Sequence, residues 1–166
     1  MQKSLNGSDV LSEVAAHLKI DLCSLVAGCA FWAPIGKNCV VPIHQNVCRA
    51  RLGKGEKRRE TVNGITFDDN TKANRALKNS LKHVGHFKAF EVCHIWPDTC
   101  YDVRYHTTLA NLVMLPRALA GLTDHDQAIQ KCLQYRSWEL YGWHPEDEAQ
   151  PKKPEKYPTN WRDPIE

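Results

Sequence analysis

The hydrophobic pattern of the first thirty residues predicts two helices. Apolar residues recur three or four positions apart, which is typical of one buried helix face. They are Val10, Leu11, Val14, Ala15 and Leu18. A second short helical stretch covers about residues 21–29, and neither stretch carries a catalytic motif. We therefore expect this segment to serve packing.

The next part of the chain alternates between strand and turn signals. Residues 38–44 and 47–52 are predicted to be short strands, and Pro42 favours a sheet edge for the first of them. Asn63-Gly64, between β-branched residues, predicts a tight hairpin turn. A helix is expected from about Thr71 to Lys82, because polar capping residues precede it.

Two apolar runs then predict a strand pair. Residues 87–93 alternate as in a strand that His94 ends, and a second strand, headed by Asn111, follows at residues 109–115. Pro116 fits the first position of a short helix.

A longer helix and a tail complete the chain. Thr123 or Asp124 is predicted to cap a helix from Asp126 to about Tyr141. Residues 144–166 contain five prolines and no helical period, so we expect an extended tail. These elements predict a single α+β domain.

Composition narrows the functional classes. No apolar run reaches the roughly 18–20 residues of a membrane helix, and the first residues lack the apolar core of a secretory signal. The seven cysteines are odd in number and form no CxxC pair, which is typical of a reducing compartment. We expect an intracellular, cytoplasmic protein without a membrane partner.

Positive charge is concentrated in one block. The net charge is only +3, yet residues 49–88 hold eleven Lys or Arg and four acids. Lys72, Arg75 and Lys78 lie three apart on one predicted helix face, and Lys82 follows four positions later. This block favours a polyanionic partner such as nucleic acid, although a solvated charged surface would have the same composition.

Three short motifs follow the basic block. They are Cys93-His94-Ile95-Trp96-Pro97, Asn111-Leu112-Val113-Met114-Leu115-Pro116 and Leu122-Thr123-Asp124-His125. The order is a strand ending in histidine, an irregular loop, a strand headed by asparagine, and a helix with possible metal ligands. It resembles the HNH endonucleases, also called ββα-metal or His-Me finger nucleases, over residues 87–126.

The resemblance implies a domain plan and a reaction. Residues 87–143 would form a ββα-metal nuclease core, residues 1–86 a helical and basic-hairpin region that binds nucleic acid, and residues 144–166 the extended tail. The expected reaction is metal-dependent hydrolysis of phosphodiester bonds, with double-stranded DNA as the expected substrate. His94 would be the general base and Asn111 the residue that orients it. Members of this family commonly act in restriction or defence in bacteria or phages, so the resemblance implies such a role here.

The metal ligands are less regular than in the family. Ala120 stands where the family's usual helical ligand lies, so the resemblance points to Asp124 and His125 instead, with His106 in reserve. Cys93 occupies the place of a common acid and is either a core residue or a soft metal ligand. One divalent ion is expected, and Mg²⁺, Mn²⁺, Zn²⁺ and Ni²⁺ all stay open.

Several cations could contact the substrate. Arg104 and Arg117 flank the second strand and could clamp the scissile phosphate through forked guanidinium groups, or form surface salt bridges. The expected contacts to the nucleic-acid backbone are Arg58, Arg59, Lys72 and Arg75.

Two other interpretations use the cysteines. In the first, the chain is a non-catalytic nucleic-acid-binding module held by zinc, with ligands drawn from histidines and from Cys39, Cys48, Cys93 and Cys100. In the second, Cys93 or Cys100 acts as a nucleophile with His106. Adjacent Cys93 and His94 would point to opposite faces of a strand, which argues against that particular pair.

Overall fold

The computed structural model describes residues 7–164, which form a mixed α+β fold with 40% helix and 14% strand. The expected α+β class is confirmed at this level. The helices are α1 (Gly7–His17), α2 (Leu22–Cys29), α3 (Thr71–Ser80), α4 (Arg117–Ala120), α5 (Leu122–His125) and α6 (Gln127–Tyr141). The strands are β1 (Val47–Arg49), β2 (Thr61–Val62), β3 (Ile65–Asp68), β4 (Phe90–His94) and β5 (Leu112–Pro116).

The first sheet has three strands in the order β1-β3-β2. β1 pairs with β3 in parallel, and β2 pairs with β3 as an antiparallel hairpin. The predicted hairpin turn is confirmed: Asn63 and Gly64 both have positive φ, as a tight two-residue turn between twisted strands requires. The strand expected at residues 38–44 is wrong, because Lys37–Val40 is a 3₁₀ helix and only Pro42 makes an isolated bridge.

The second sheet is the antiparallel pair β4–β5, in which His94 lies opposite Leu112. A 3₁₀ turn, Leu109–Asn111, places Asn111 directly before β5. The prediction that Thr123 or Asp124 caps α6 is wrong. Asp126 is the cap, and its side chain accepts hydrogen bonds from the backbone N–H groups of Ala128 and Ile129 in the first turn. Asp124 lies in α5 and does not cap α6.

The β4–β5 pair separates two hydrophobic clusters, because alternate side chains of a strand face opposite sides. Cys93 and Val113 join the cluster covered by α2 and α6, whereas Val92 and Leu112 join the cluster covered by α3. His94 falls on the same face as Val92 and therefore on the side of α3. His94, which belongs to the second sheet, therefore faces α3, the helix that follows the first sheet.

Residues 144–164 contain no helix or strand and run back across the domain. The Trp161 ring packs edge-on against Trp32 at 5.8 Å, and the Arg162 Nε donates to the Gly28 carbonyl at 2.6 Å. Within residues 7–164, none of the helices has the length and apolar character needed to cross a bilayer.

Candidate active site

His94 ends β4 with one ring nitrogen hydrogen-bonded and the other without a hydrogen-bond partner in the part of the chain that the structure describes. Its Nε2 lies 2.9 Å from the backbone carbonyl oxygen of His106. A carbonyl oxygen only accepts hydrogen bonds, so Nε2 carries the proton of the neutral ring and Nδ1 is the unprotonated nitrogen. His94 is half-buried as a residue, and its ring stacks on the His106 ring at 5.2 Å with 12° between the planes.

Burial is the main cause that lowers the pKa of His94 to about 3, and the charges of the neighbouring His106 and Arg49 contribute to the same shift. The imidazole is therefore neutral at cellular pH. A neutral ring with a fixed tautomer can accept a proton at Nδ1, which is what a general base requires.

His106 is completely buried and bonded to an acid. Its Nε2 lies 3.2 Å from Asp68 Oδ2, and its Nδ1 is buried without a hydrogen-bond partner. Burial lowers the pKa of His106, and the contact with Asp68 opposes that shift. The sequence placed His106 as a reserve metal ligand, but the structure engages its Nε2 with a carboxylate instead.

A cavity of about 700 Å³ opens beside His94 and lies between the two sheets. It combines positive, acidic and amide side chains on its walls. Those of interest are Arg49, Asn70, Asn74, Glu91, Asp98, Arg117, Asp124 and Gln130. The predicted residues Arg117 and Asp124 thus share a cavity with His94.

Asn111 does not make the expected contact with His94. Its side chain is completely buried; Oδ1 accepts from the Trp96 N–H at 3.3 Å, and Nδ2 donates to Thr99 Oγ1 at 2.9 Å and to the Tyr105 carbonyl at 3.1 Å. The prediction that its amide orients the imidazole is therefore corrected. Asn111 fixes the loop between β4 and β5, and the backbone of that loop orients the ring.

The expected metal ligands are only partly brought together. Asp124 lines the cavity, whereas His125 is exposed and is not among the residues that line it. Burial raises the pKa of the Cys93 thiol to about 12, so Cys93 is a neutral core residue. In the part of the chain that the structure describes, no group of three or more His, Cys, Asp or Glu side chains is arranged to hold a metal ion.

Arg104 is not available as a phosphate clamp. Its guanidinium donates to Asp102 at 2.7 Å, to Glu146 at 3.2 Å and to Asp147 at 2.7 Å. It therefore fixes the start of the tail to the loop, and it does not line the cavity of His94.

The other basic candidates, Arg58, Arg59, Lys72 and Arg75, do not line the cavity. Arg58 and Arg59 lie in the exposed turn before β2, where Arg59 contacts Asp69 at 3.4 Å. Burial is the main cause of the lowered pKa of His44, and the nearby positive charges of Lys72 and Arg75 on α3 contribute to it. Arg59 thus lies beside Asp69, which lines the cavity, whereas Lys72 and Arg75 lie near His44, which does not.

The residue that sequence reasoning missed is Arg49. It ends β1, its side chain is exposed, and it lines the cavity close enough to His94 to lower the pKa of that ring. In the sequence it was one of eleven cations in the basic block. The parallel pairing of β1 with β3 sets Arg49 opposite Asp68. This pairing distinguishes Arg49 from the other cations of the block, and the local sequence pattern does not show it.

The two cysteines considered as nucleophiles, Cys93 and Cys100, are not activated. Burial raises the pKa of Cys93 and of Cys100, so neither thiol is activated as a thiolate. Cys39 lies in the cluster under α3 and Cys93 in the opposite cluster, so these two proposed zinc ligands face different parts of the core.

Comparisons with protein-family models, with curated proteins and with solved structures find no match to this chain.

Proposed function

We propose that the chain is a metal-dependent endonuclease that hydrolyses phosphodiester bonds in DNA, with His94 as the general base. The observation that carries this proposal is the state of His94: its Nε2 is hydrogen-bonded to the His106 carbonyl, its Nδ1 has no hydrogen-bond partner within residues 7–164, and the residue lines a cavity that also contains arginine and carboxylate groups. The motif order of the HNH endonucleases points to the same chemistry.

His94 would take the proton of the attacking water at Nδ1. The pKa of about 3 makes the resting ring a weak base. An anionic phosphate in the cavity would raise that pKa, because a nearby negative charge favours the protonated imidazolium. The base would thus gain strength when substrate is bound.

Arg49 and Arg117 would bind the scissile phosphate. Both line the cavity, and the side chain of Arg117 is 74% exposed, with its one ion-pair contact, to Glu91, at 4.0 Å. Guanidinium groups suit phosphate oxygens because they donate in a planar fork. Arg58, Arg59, Lys72 and Arg75, which lie outside the cavity, would contact the nucleic-acid backbone away from the scissile phosphate.

The carboxylates that line the cavity are of the type that binds hard divalent cations, although no three potential ligands among the described residues are grouped to hold one. The carboxylates of Glu91, Asp98 and Asp124 line the cavity. Carboxylate oxygens favour Mg²⁺ or Mn²⁺, whereas thiolate-rich sites favour zinc. Mg²⁺ is commonly held by one or two carboxylates, with water and substrate phosphate as its other ligands. When bound, the ion would neutralise phosphate charge and assist the leaving oxygen.

The finer fold belongs to the same proposal. The β4–β5 pair and the helices α4 and α5 after it would form the ββα-metal core, with Asp124 supplied by α5. The packing of α3 against the face of His94 then brings the nucleic-acid-binding region of residues 1–86 to the catalytic histidine.

The test is incubation of the full chain with supercoiled plasmid and, separately, with single-stranded DNA and RNA. Each substrate is combined with Mg²⁺, Mn²⁺, Zn²⁺ or Ni²⁺, with EDTA as the control. We expect nicking of plasmid with Mg²⁺ or Mn²⁺ that EDTA abolishes. Binding without cleavage under every condition would favour the non-catalytic module.

A further inference from the structure

Asp68, His106 and His94 form a continuous chain of contacts from the first sheet to the catalytic base. Asp68 Oδ2 lies 3.2 Å from His106 Nε2, and the His106 carbonyl oxygen lies 2.9 Å from His94 Nε2. Asp68 and His106 are 6% and 0% exposed, so water does not compete for the contact between them.

Asp68 is itself held on two sides. Its Oδ2 accepts from the backbone N–H of Lys72 in the first turn of α3 at 2.7 Å, and its carbonyl accepts from the Ala50 N–H at 3.1 Å. The carboxylate therefore has a fixed position at the junction of β3 and α3. A fixed acceptor imposes one orientation and one protonated nitrogen on the histidine that donates to it.

His106 acts on His94 in two ways. Its backbone carbonyl accepts the Nε2 proton, and its ring covers one face of the His94 ring at 5.2 Å. The carbonyl belongs to a loop residue, so its place depends on how the His106 side chain is anchored. The buried Nδ1 of His106 has no partner, which is a cost to stability that a purely structural histidine would not need.

We propose that Asp68 and His106 are a positioning pair for His94: Asp68 anchors the His106 side chain, and His106 thereby holds His94 in the tautomer that leaves Nδ1 unprotonated. The catalytic consequence rests on the proposed endonuclease function, but the effect on the tautomer does not. Neither residue lines the cavity of His94, so both would act through His94.

The test is ¹⁵N NMR of the imidazole nitrogens in the full chain without substrate or metal. We expect native His94 to show one tautomer, protonated at Nε2, and the Asp68→Asn variant to show a mixture of both tautomers. Asp21→Asn is the matched control, because Asp21 also places a carboxylate at a helix start, accepting from the Cys23 N–H at 3.1 Å, without contacting a histidine. It should leave His94 unchanged.

A second variant keeps the proposal testable if Asp68→Asn does not fold. His106→Ala removes both the donor to Asp68 and the stacked ring, and it should produce the same mixture of tautomers. His106→Gln, whose amide can donate to Asp68, should restore the single tautomer. Retention of the native tautomer in folded Asp68→Asn or His106→Ala would overturn the proposal.

Kinetics separate this proposal from the endonuclease itself. If the chain cleaves DNA, Asp68→Asn should lower kcat by about 10- to 100-fold with KM unchanged, as loss of an outer orienting partner does elsewhere. A chain that cleaves nothing but whose His94 tautomer depends on Asp68 would refute the endonuclease and support the positioning pair. Cleavage that requires His94 but is unchanged in Asp68→Asn would support the endonuclease and refute the positioning pair.

Discussion

The imidazole of His94 donates its Nε2 proton to the backbone carbonyl of His106 across 2.9 Å, and the two rings stack almost in parallel. This contact selects one tautomer and leaves Nδ1 as the only basic nitrogen. It also makes the chemistry of His94 depend on the loop that carries His106.

Arg49 should matter more than Arg104 for the substrate. Arg49 lines the cavity of His94, whereas the Arg104 guanidinium is occupied by Asp102, Glu146 and Asp147. Loss of a charge-assisted phosphate contact costs about 1.5–3 kcal/mol, or roughly 10- to 100-fold. We therefore expect Arg49→Gln to lower kcat/KM on plasmid by that factor and Arg104→Gln to leave it unchanged. Equal effects of the two substitutions would contradict the assignment.

Asp124 should determine the metal-ion concentration that cleavage requires. Asp124→Asn is expected to raise the Mg²⁺ or Mn²⁺ concentration for half-maximal cleavage by about tenfold or more, because it removes a carboxylate ligand from the cavity. His125→Gln is the adjacent control, since His125 is exposed and does not line the cavity. A metal titration of the cleavage rate makes the comparison, and a shift with His125→Gln alone would reverse the assignment.

Asn111 should act on stability before it acts on chemistry. Its amide bonds to Trp96, Thr99 and Tyr105 inside the core, so Asn111→Ala leaves buried polar groups without partners. We expect the free energy of unfolding to fall by about 2–4 kcal/mol, measured by urea denaturation. An Asn111→Ala protein with native stability and no activity would instead indicate direct catalytic participation.

Stability should decrease in acid through the buried histidines. The folded protein holds the pKa of His94 and of His106 below the ordinary value of 6.5, so the unfolded chain binds protons first as the pH falls. The free energy of unfolding should be fully retained above about pH 6.5 and decline below it, by up to about 1.4 kcal/mol per pH unit for each histidine. Urea denaturation between pH 7 and pH 5 measures this slope, which should be shallower in His94→Gln. An identical slope in that variant would show that His94 does not contribute.

Local patterns in the sequence predicted the parts of the fold that depend on near neighbours. The Asn63-Gly64 turn needs only two residues with positive φ, and the helix after Asp68 needs only its caps and spacing. The strand that ends at His94 was visible because its side chains alternate. Each of these signals lies within one short window.

Contacts between distant segments could not be predicted in the same way. Asp68 and His106 are 38 positions apart, and Arg104 meets carboxylates more than 40 positions later. Asn111 was predicted to orient the imidazole of His94, but its amide bonds to Trp96, Thr99 and Tyr105, and these partners depend on how the loop folds back. The cavity therefore contains Arg49, which local pattern did not distinguish, and lacks Arg104, which it favoured.

The most direct test of the account compares plasmid cleavage and plasmid binding by the native chain and by His94→Ala. We predict that the substitution lowers the single-turnover cleavage rate by about 10²- to 10⁴-fold, as expected for loss of a general base, while the dissociation constant stays the same. Cleavage by His94→Ala at the native rate would contradict the central claim.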